Sequence, residues 1–308
     1  MLRTVMALAL LASPAQEKIN VLIVDGQNNH NYKAMTPFMK AQLEKSGLFT
    51  VDVSTTPPAA PKAPKEETPE QKVEREKKAA EPWAAWRPKF SDYKVVVSNY
   101  NGEPWPADVN KAFEEFVKNG GGFYCVHAAN NAFPNTWKEY DQMIGLGWRG
   151  AKYGKRLFLN ENGERVSVPA GEGADSGHGN QHEFKIVVRD AEHPITKGMP
   201  KEWMHAQDEL YQNQRGPAEN MQILLSAFAD PAKGGKASSG VSEPMLWIIP
   251  YGKGHVVTNV MGHENGKALQ CVGFITLMLR SCEWLATGKT TVALPPDFPT
   301  AEKSSLTK

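Results

Sequence analysis

The chain has 308 residues, enough for one large domain or two small ones. Hydrophobic residues make up 41% of it and charged residues 22%, as in ordinary folded globular proteins. The net charge of +1 provides no overall field that would attract nucleic acid, so a nucleic-acid partner is not expected.

The first 15 residues have the layout of a short secretory signal. Arg3 is followed by an apolar stretch over residues 5–12 and by small residues up to Ala15. The alternative is a misplaced start codon upstream of a cytosolic protein. A membrane helix needs about 20 apolar residues, and no stretch of the sequence is that long. We therefore expect a cleaved signal over 1–15, a periplasmic or secreted location, no membrane span, and a single domain over 16–308.

The cysteines do not suggest a disulfide framework, because an exported chain of this length has only Cys125, Cys271 and Cys282. Cys125 lies in an apolar strand, and the other two share one face of a predicted helix. None has a basic neighbour in the sequence. Buried, inert thiols are therefore favoured over a catalytic cysteine.

The chain after residue 18 alternates between strands and helices. Residues 19–26 (INVLIVDG) form an apolar run typical of a central parallel strand, and a helix over 35–47 and a strand over 49–54 follow. Strand, helix, strand and helix then recur at 92–100, 106–121, 122–126 and 134–145. This order predicts an α/β fold with a doubly wound, mostly parallel sheet and helices on both faces.

The C-terminal half adds further strands and a closing helix. The stretches EFKIVVRD and MQILLSAF read as strands, and PMLWIIP and HVVTNVM as a hairpin joined by YGKG. A long amphipathic helix is predicted over 267–289.

Residues 55–88 interrupt the alternation. The segment is first proline-rich, and its residues 62–81 carry six basic and six acidic side chains, with almost no large apolar residues. Such a composition cannot offset the entropy of packing, so we interpret it as a solvated insertion. Its second half is expected to be an exposed helix whose end is held on the body by Trp83 and Trp86.

Several polar residues follow strands at the edge where open α/β sheets bind ligands. These residues are Asn28, His30, Tyr100, Asn101, His127 and His263. Isolated core histidines are the alternative interpretation, but three of the eight histidines at one edge favour a site. We expect His30, His127 and His263 to hold a zinc-like divalent ion, and Asn28, Tyr100 and Asn101 to contact substrate.

His127 stands directly after the strand GFYCV and before two alanines. A strand that turns sharply into small residues has the geometry of a nucleophile elbow, which displays its side chain at the top of the sheet. The dipole of a following helix would disfavour the imidazolium. A neutral imidazole can bind a metal, donate a hydrogen bond or act as a base, but it is a poor covalent nucleophile.

The stretch GHGNQHEF carries His178 and His182 four positions apart. That spacing binds metals on helices, but the flanking glycines and the strand that follows favour a loop. Loop histidines of this kind are either structural or in contact with substrate. We assign the substrate contact to His182.

The stretch WMHAQDELY places two adjacent acids, Asp208 and Glu209, between Trp203 and Tyr211. Acids beside aromatic rings suit acid–base chemistry or sugar binding, and a solvated turn is the alternative. We expect Asp208 and Glu209, with His127, to be catalytic, and Trp203 and Tyr211 to contact substrate.

Five stretches in combination resemble the trehalose-utilisation, or ThuA-like, family, and they cover most of residues 19–290. They are NGGGFYCVHAA, HEFKIVVRDAEHPITKGMP, WMHAQDELY, PMLWIIPYGKGHVVTNVMGHE and the closing helix. The resemblance implies kinship with the class I glutamine amidotransferases. It also implies a three-layer α/β sandwich with a mostly parallel, flavodoxin-like sheet. The insertion at 55–88 looks like a departure from shorter members of the family.

The amidotransferase comparison places His127 where those enzymes have a catalytic cysteine, and His263 where their catalytic histidine follows a late hairpin. Their His-x-Glu pattern is not reproduced, because Glu264 directly follows His263. Cys125 lies two residues before the elbow and is expected to point into the core. Thioester chemistry on glutamine is therefore not expected.

Members of the ThuA-like family are associated with sugar catabolism, including routes through 3-keto-sugars made by partner dehydrogenases. The resemblance therefore implies an exported enzyme that acts on a small carbohydrate, with a 3-keto-glycoside as the substrate class. Elimination, hydrolysis and isomerisation all remain open. The alternatives are a non-catalytic carbohydrate-binding accessory protein and a hydrolase that works without a metal.

Overall fold

The computed structural model describes residues 17–264 and 266–307, so the predicted signal over 1–15 lies outside the described residues. The strands are β1 Ile19–Asp25, β2 Phe49–Thr55, β3 Val95–Ser98, β4 Gly122–Val126, β5 Lys155–Leu159, β6 Arg165–Val168, β7 Gly177–His178, β8 His182–Val188, β9 Glu202–Asp208, β10 Tyr211–Gln212, β11 Arg215–Gly216, β12 Gln222–Phe228, β13 Ser242–Tyr251 and β14 Gly254–Asn259. The helices are α1 Tyr32–Lys45, α2 Pro69–Ala85, α3 Ala107–Lys118, α4 Lys138–Ile144, α5 Pro231–Gly234, α6 Lys267–Gln270 and α7 Val272–Thr287. Two 3-10 turns cover Phe90–Asp92 and His127–Asn131.

One large sheet runs in the order β2-β1-β3-β4-β14-β13-β12-β8-β9, with β5, β6 and β11 attached beside β13. The strands from β2 to β14 pair in parallel, and the strands beyond β14 continue the sheet antiparallel. The parallel part has the flavodoxin-like arrangement, and the predicted α/β class is confirmed. The site described below stands beyond the carboxyl ends of these parallel strands.

Side-chain alternation along the parallel strands builds a core on each face of the sheet. In β1, Val21 and Ile23 pack in one cluster with α1 and α7, whereas Leu22 and Val24 pack in the other with α3 and α4. Successive residues of a strand point to opposite faces, so a continuous apolar run is what a doubly covered strand requires. The result is the three-layer sandwich.

The hairpin of β13 and β14 completes the parallel part of the sheet. Strand β14 lies between β13 and β4, and Asn259 pairs with Val126 at its carboxyl end. The chain segments that follow these two residues therefore leave the sheet side by side. This pairing brings together two segments that are far apart in the sequence.

The insertion contains helix α2, in which no residue is buried. A capping box between Thr68 and Gln71 begins this helix. Its end contacts the body through Trp86, whose Nε1 donates to Ser54 Oγ at 2.9 Å and whose ring lies 5.2 Å from Trp105. The C-terminal end of the helix is therefore attached to the body by a hydrogen bond and by aromatic packing.

The closing helix differs from its prediction. It is divided at Cys271, which lies between α6 and α7, so Cys271 and Cys282 do not share one helix. All three cysteines are buried and free, and burial raises the pKa of the Cys125 thiol to about 12. Across the described residues, no helix is both long enough and apolar enough to cross a bilayer.

Candidate metal centre

Three imidazole rings and one carboxylate converge beyond the carboxyl ends of β1, β4 and β14. The ring centroids of His30 and His127 are 4.8 Å apart, those of His30 and His263 4.6 Å, and those of His127 and His263 5.4 Å. Glu209 joins them, with Oε1 3.3 Å from His263 Nε2 and Oε2 3.7 Å from His127 Nε2. One donor atom from each of the four residues lies within 4.8 Å of all the others.

The position of His127 is fixed by the end of strand β4. Its φ of 45° lies in the left-handed region, which a non-glycine residue adopts only where the surroundings require it. Its Nδ1 lies 2.9 Å from the carbonyl oxygen of Val260. A carbonyl can only accept, so Nδ1 carries the hydrogen and the Nε2 lone pair faces the cluster.

The buried His127 ring stays neutral. Burial, more than any other influence, lowers its pKa, against the opposing charge of Asp208. The helix dipole expected from the sequence does not act here, because the chain after β4 forms only a short 3-10 turn over His127–Asn131. Desolvation is therefore the physical cause, and a neutral ring is the form that binds metals.

His30 is positioned by a loop that follows β1. Its backbone N–H donates to Asn28 Oδ1 at 2.9 Å, and Asn28 Nδ2 donates to the carbonyl oxygen of Asn99 at 3.1 Å. Burial, with a smaller contribution from His127, lowers the pKa of His30 to about 3. Asn28 therefore acts by holding His30 in place.

A single buried carboxylate, Asp208, holds the segments that carry the other two residues of the cluster. Its Oδ2 accepts from His205 Nε2 at 2.8 Å and from the Gly262 N–H at 2.7 Å. Its Oδ1 accepts from the N–H groups of Glu209 at 2.7 Å and His263 at 3.2 Å. Asp208 is fully buried and both of its oxygens accept hydrogen bonds, so this carboxylate positions the segments that carry Glu209 and His263.

The charge state of Asp208 agrees with this role. Burial opposes its ionisation, but hydrogen bonds from His205 and Gly262 and the charge of His205 together hold the pKa of Asp208 below its usual value. Burial likewise opposes a charge on His205, but Cys271 and Asp208 beside it raise the pKa of His205 to about 10. The pair is therefore a buried carboxylate with a cationic partner.

His178 belongs to the site, although His182 is the histidine predicted from the sequence. Strands β7 and β10 pair His178 with Tyr211, and His178 Nε2 lies 3.3 Å from Glu209 Oε1. The ring of His182, the predicted substrate contact, packs against Phe184 instead, and its Nδ1 lies 2.7 Å from the carbonyl oxygen of Asn180. Two-residue strands leave no periodic pattern, so the sequence could not separate the two histidines.

Tyr211 is the predicted substrate residue that does reach the cluster. Its hydroxyl lies 3.3 Å from His127 Nε2, and its ring lies 4.8 Å from that of His127. Trp148, which the sequence argument did not mention, packs 4.7 Å from the Tyr211 ring. Aromatic rings therefore form one side of the site.

The remaining predicted substrate residues are not in the cluster. Trp203 is fully buried against Phe298, and Tyr100 is fully buried with its hydroxyl donating to the carbonyl oxygen of Glu103 at 2.5 Å. Neither side chain can contact a ligand at the cluster, because both are packed in the protein interior. Asn101 lies nearer to the cluster. Its side chain donates to Oδ1 of Asn29, the residue that precedes His30.

The donor set fits a divalent transition metal. Neutral imidazoles and a carboxylate are the ligands that zinc and its first-row neighbours prefer. The Nε2 lone pair of His127 lies 3.7 Å from a carboxylate oxygen, and a cation between these two acceptors would make the arrangement favourable. The residues that would hold an ion are His30, His127 and His263, and Glu209 is the fourth residue of the cluster.

Comparison with known proteins identifies relatives of the fold. A ThuA-like protein from Parabacteroides merdae ATCC 43184 has a solved structure with a TM-score of 0.83 and 35% sequence identity, covering 94% of this chain and 98% of that one. A ThuA-like protein from Bacteroides uniformis ATCC 8492 shares the fold at a TM-score of 0.55 and 19% identity, covering 92% and 97%. A search of the curated proteins finds no significant match. The family model described as "ThuA: Trehalose utilisation" matches residues 20–285, and the chain therefore belongs to the ThuA family.

Proposed function

We propose that the protein is a divalent-metal-dependent enzyme that acts on a carbohydrate, with a 3-keto-glycoside as its substrate class. The observation that carries the proposal is the convergence of His30, His127, His263 and Glu209, with their donor atoms within 4.8 Å of one another. The description of the family as one of trehalose utilisation supports a sugar substrate.

The chemistry follows from the keto group, which acidifies the neighbouring C–H. Removal of that proton needs a base and a positive group near the enolate oxygen, and a divalent ion held by the three histidines supplies the second. Glu209 is the acid placed to act as the base, because both oxygens of Asp208 are engaged. His178, with its side chain 34% exposed and 3.3 Å from Glu209, connects that carboxylate to solvent.

The test combines metal analysis with turnover. Protein purified without chelator is expected to contain about one metal ion per chain, as measured by mass spectrometry. His127→Ala should lose the ion, whereas His255→Ala, an exposed histidine at the amino end of β14, should keep it. Turnover of 3-keto-trehalose, followed by NMR, should stop on chelation and return when zinc or manganese is added.

The outcomes separate this proposal from its alternatives. Absence of metal together with unchanged turnover in His127→Ala would exclude it. Saturable sugar binding without any product would favour an accessory binding protein. Turnover that persists after chelation would favour a hydrolase that works without a metal.

The proposal extends to the cellular context of the protein. The signal-like layout of residues 1–15 supports export to the periplasm or beyond. A 3-keto substrate also requires an oxidising partner, so we propose that a sugar dehydrogenase precedes this protein in its pathway. Cell fractionation with N-terminal sequencing of the mature protein tests the first part: an intact N-terminus in the cytoplasm would exclude export.

A further inference from the structure

A cavity lies beside Trp148, whose ring packs on a residue that contacts the metal centre. It has a volume of about 580 Å³ and is lined by residues of the segments 134–135, 148–153 and 175–176. Trp148 belongs to its wall, and the Trp148 ring also lies 4.7 Å from Tyr211 and 5.8 Å from His178. Tyr211 and His178 both contact the cluster, so Trp148 is the side chain that links the wall of this cavity to the metal centre.

The base of the cavity is fixed by Arg149, which is buried. Its guanidinium is ion-paired with Asp141 at 2.9 Å and donates to the carbonyl oxygens of Asn131 at 3.1 Å and Ala132 at 2.6 Å. These contacts tie the segment after β4 to the segment after α4. The cavity is therefore preformed, which reduces the ordering cost of binding.

The rim of the cavity is polar. Lys152 is exposed and has no ion-pair partner within the described part of the chain. Asp175 uses Oδ1 to accept from the Ala151 N–H at 2.6 Å, which leaves its second oxygen open. Asn135, in a left-handed conformation at φ 60°, supplies an amide that both donates and accepts.

These features suit a sugar ring. Hydroxyl groups both donate and accept hydrogen bonds, so they match a rim with a cation, a carboxylate and an amide. The C–H face of a pyranose is apolar and packs on an aromatic side chain such as Trp148. The cavity volume of about 580 Å³ lies in the range typical of small-molecule sites.

We propose that this cavity binds the untransformed sugar ring of a disaccharide whose other ring lies at the metal centre. The proposal rests on the proposed function and deepens it, since it makes a disaccharide, rather than a monosaccharide, the preferred ligand class. Lys152, Asn135 and Asp175 then determine specificity, and Trp148 separates the two ring sites.

The test measures binding by calorimetry on the zinc-loaded full chain, with trehalose and methyl α-glucoside as the probes. Wild type should bind trehalose at least about tenfold more tightly than the monosaccharide, because only trehalose occupies both ring sites. Lys152→Ala and Asn135→Gly should each weaken trehalose binding by about tenfold and leave methyl α-glucoside unchanged. Glycine is used at residue 135 because it accepts the positive φ without strain.

Lys253→Ala provides the matched control, since Lys253 lies in the turn between β13 and β14 at the opposite end of the sheet. It should leave both affinities unchanged. Equal affinity of wild type for the two probes, no binding of trehalose, or unchanged trehalose affinity in both cavity variants would overturn the inference. The zinc content of the same samples reports separately on the proposed metal centre, so the two failures are distinguishable.

Discussion

Asp208 shows how one buried side chain can organise a site that it does not enter. Its two oxygens receive four hydrogen bonds, three of them from backbone N–H groups of the segments that carry Glu209 and His263. An outer residue of this kind determines where the ligands stand without touching the substrate. The geometry therefore gives Asp208 a positioning role, whereas the adjacent Glu209 belongs to the cluster itself.

Replacement of Asp208 by asparagine tests this role. We expect Asp208→Asn to lose roughly 2–4 kcal/mol of unfolding free energy, because an amide nitrogen would face N–H donors in the interior. Zinc affinity should fall about 10- to 100-fold, the usual effect of losing an outer-shell partner. Urea unfolding and zinc titration provide the two measurements.

Asp297→Asn is the control, because Asp297 is exposed in the C-terminal segment. It should behave as wild type in both measurements. Normal zinc affinity in Asp208→Asn would show that the loop after β14 keeps its position without this carboxylate.

At the scale of single residues, the sequence predicted the convergence of His30, His127 and His263, because parallel strands share one carboxyl edge. It could not place Trp203 or Tyr100, since an aromatic side chain looks the same in the sequence whether it faces a ligand or the core. It also could not choose His178 over His182, because that choice depends on a two-residue strand pairing with Tyr211.

At the scale of elements, the sequence predicted most accurately the strands and helices whose apolar residues recur with a single period. The strands β1, β4 and β14 and helix α3 follow directly from their periodicity. Strand β9 is not predicted from the sequence, because its polar residues His205 and Asp208 interrupt the apolar pattern. These two satisfy each other inside the protein at 2.8 Å, which a hydrophobic pattern cannot reveal.

The turn between β8 and β9 provides a prediction about pH. His193 Nδ1 accepts from the Ile195 N–H at 3.2 Å, and burial, opposed by Asp190, lowers the pKa of His193 below 6.5. The unfolded chain therefore binds a proton near pH 6.5 that the folded chain rejects. The unfolding free energy should fall as the pH drops below about 6.5, and His193→Gln should reduce that slope.

Urea unfolding between about pH 5 and 7.5 measures the slope, with tryptophan fluorescence as the probe. One of the tryptophans, Trp284, has its ring 4.8 Å from that of His193. Lys197→Gln changes a nearby charge that does not titrate in this range, so its slope should equal that of wild type. An unchanged slope in His193→Gln would contradict the prediction.

At the scale of the whole molecule, the insertion contributes little to the core. Helix α2 buries no side chain, and Trp86 makes its attachment near Ser54 and Trp105. We expect replacement of residues 62–80 by a Gly-Ser linker to shift Tm by no more than about 3 °C, as measured by calorimetry. The zinc content per chain should not change.

A longer deletion, of residues 57–88, is the variant to compare with the linker replacement. Removal of residues 57–88 also takes Trp86 and the carbonyl oxygen of Pro57 that accepts from Gln27 Nε2 at 2.8 Å, so it should lower Tm further. If the shorter deletion were as harmful as the longer one, α2 would be contributing to the stability of the sheet.

The place of β14 in the sheet has a consequence for biosynthesis. Residues 254–259 are made late, yet they separate β4 from β13 in the finished sheet. Until they emerge, the earlier strands present two unpaired edges that can capture other chains, and His263 is still missing. A nascent chain that stalls before this strand is thus exposed to aggregation and, at the same time, still without the last imidazole of its metal centre.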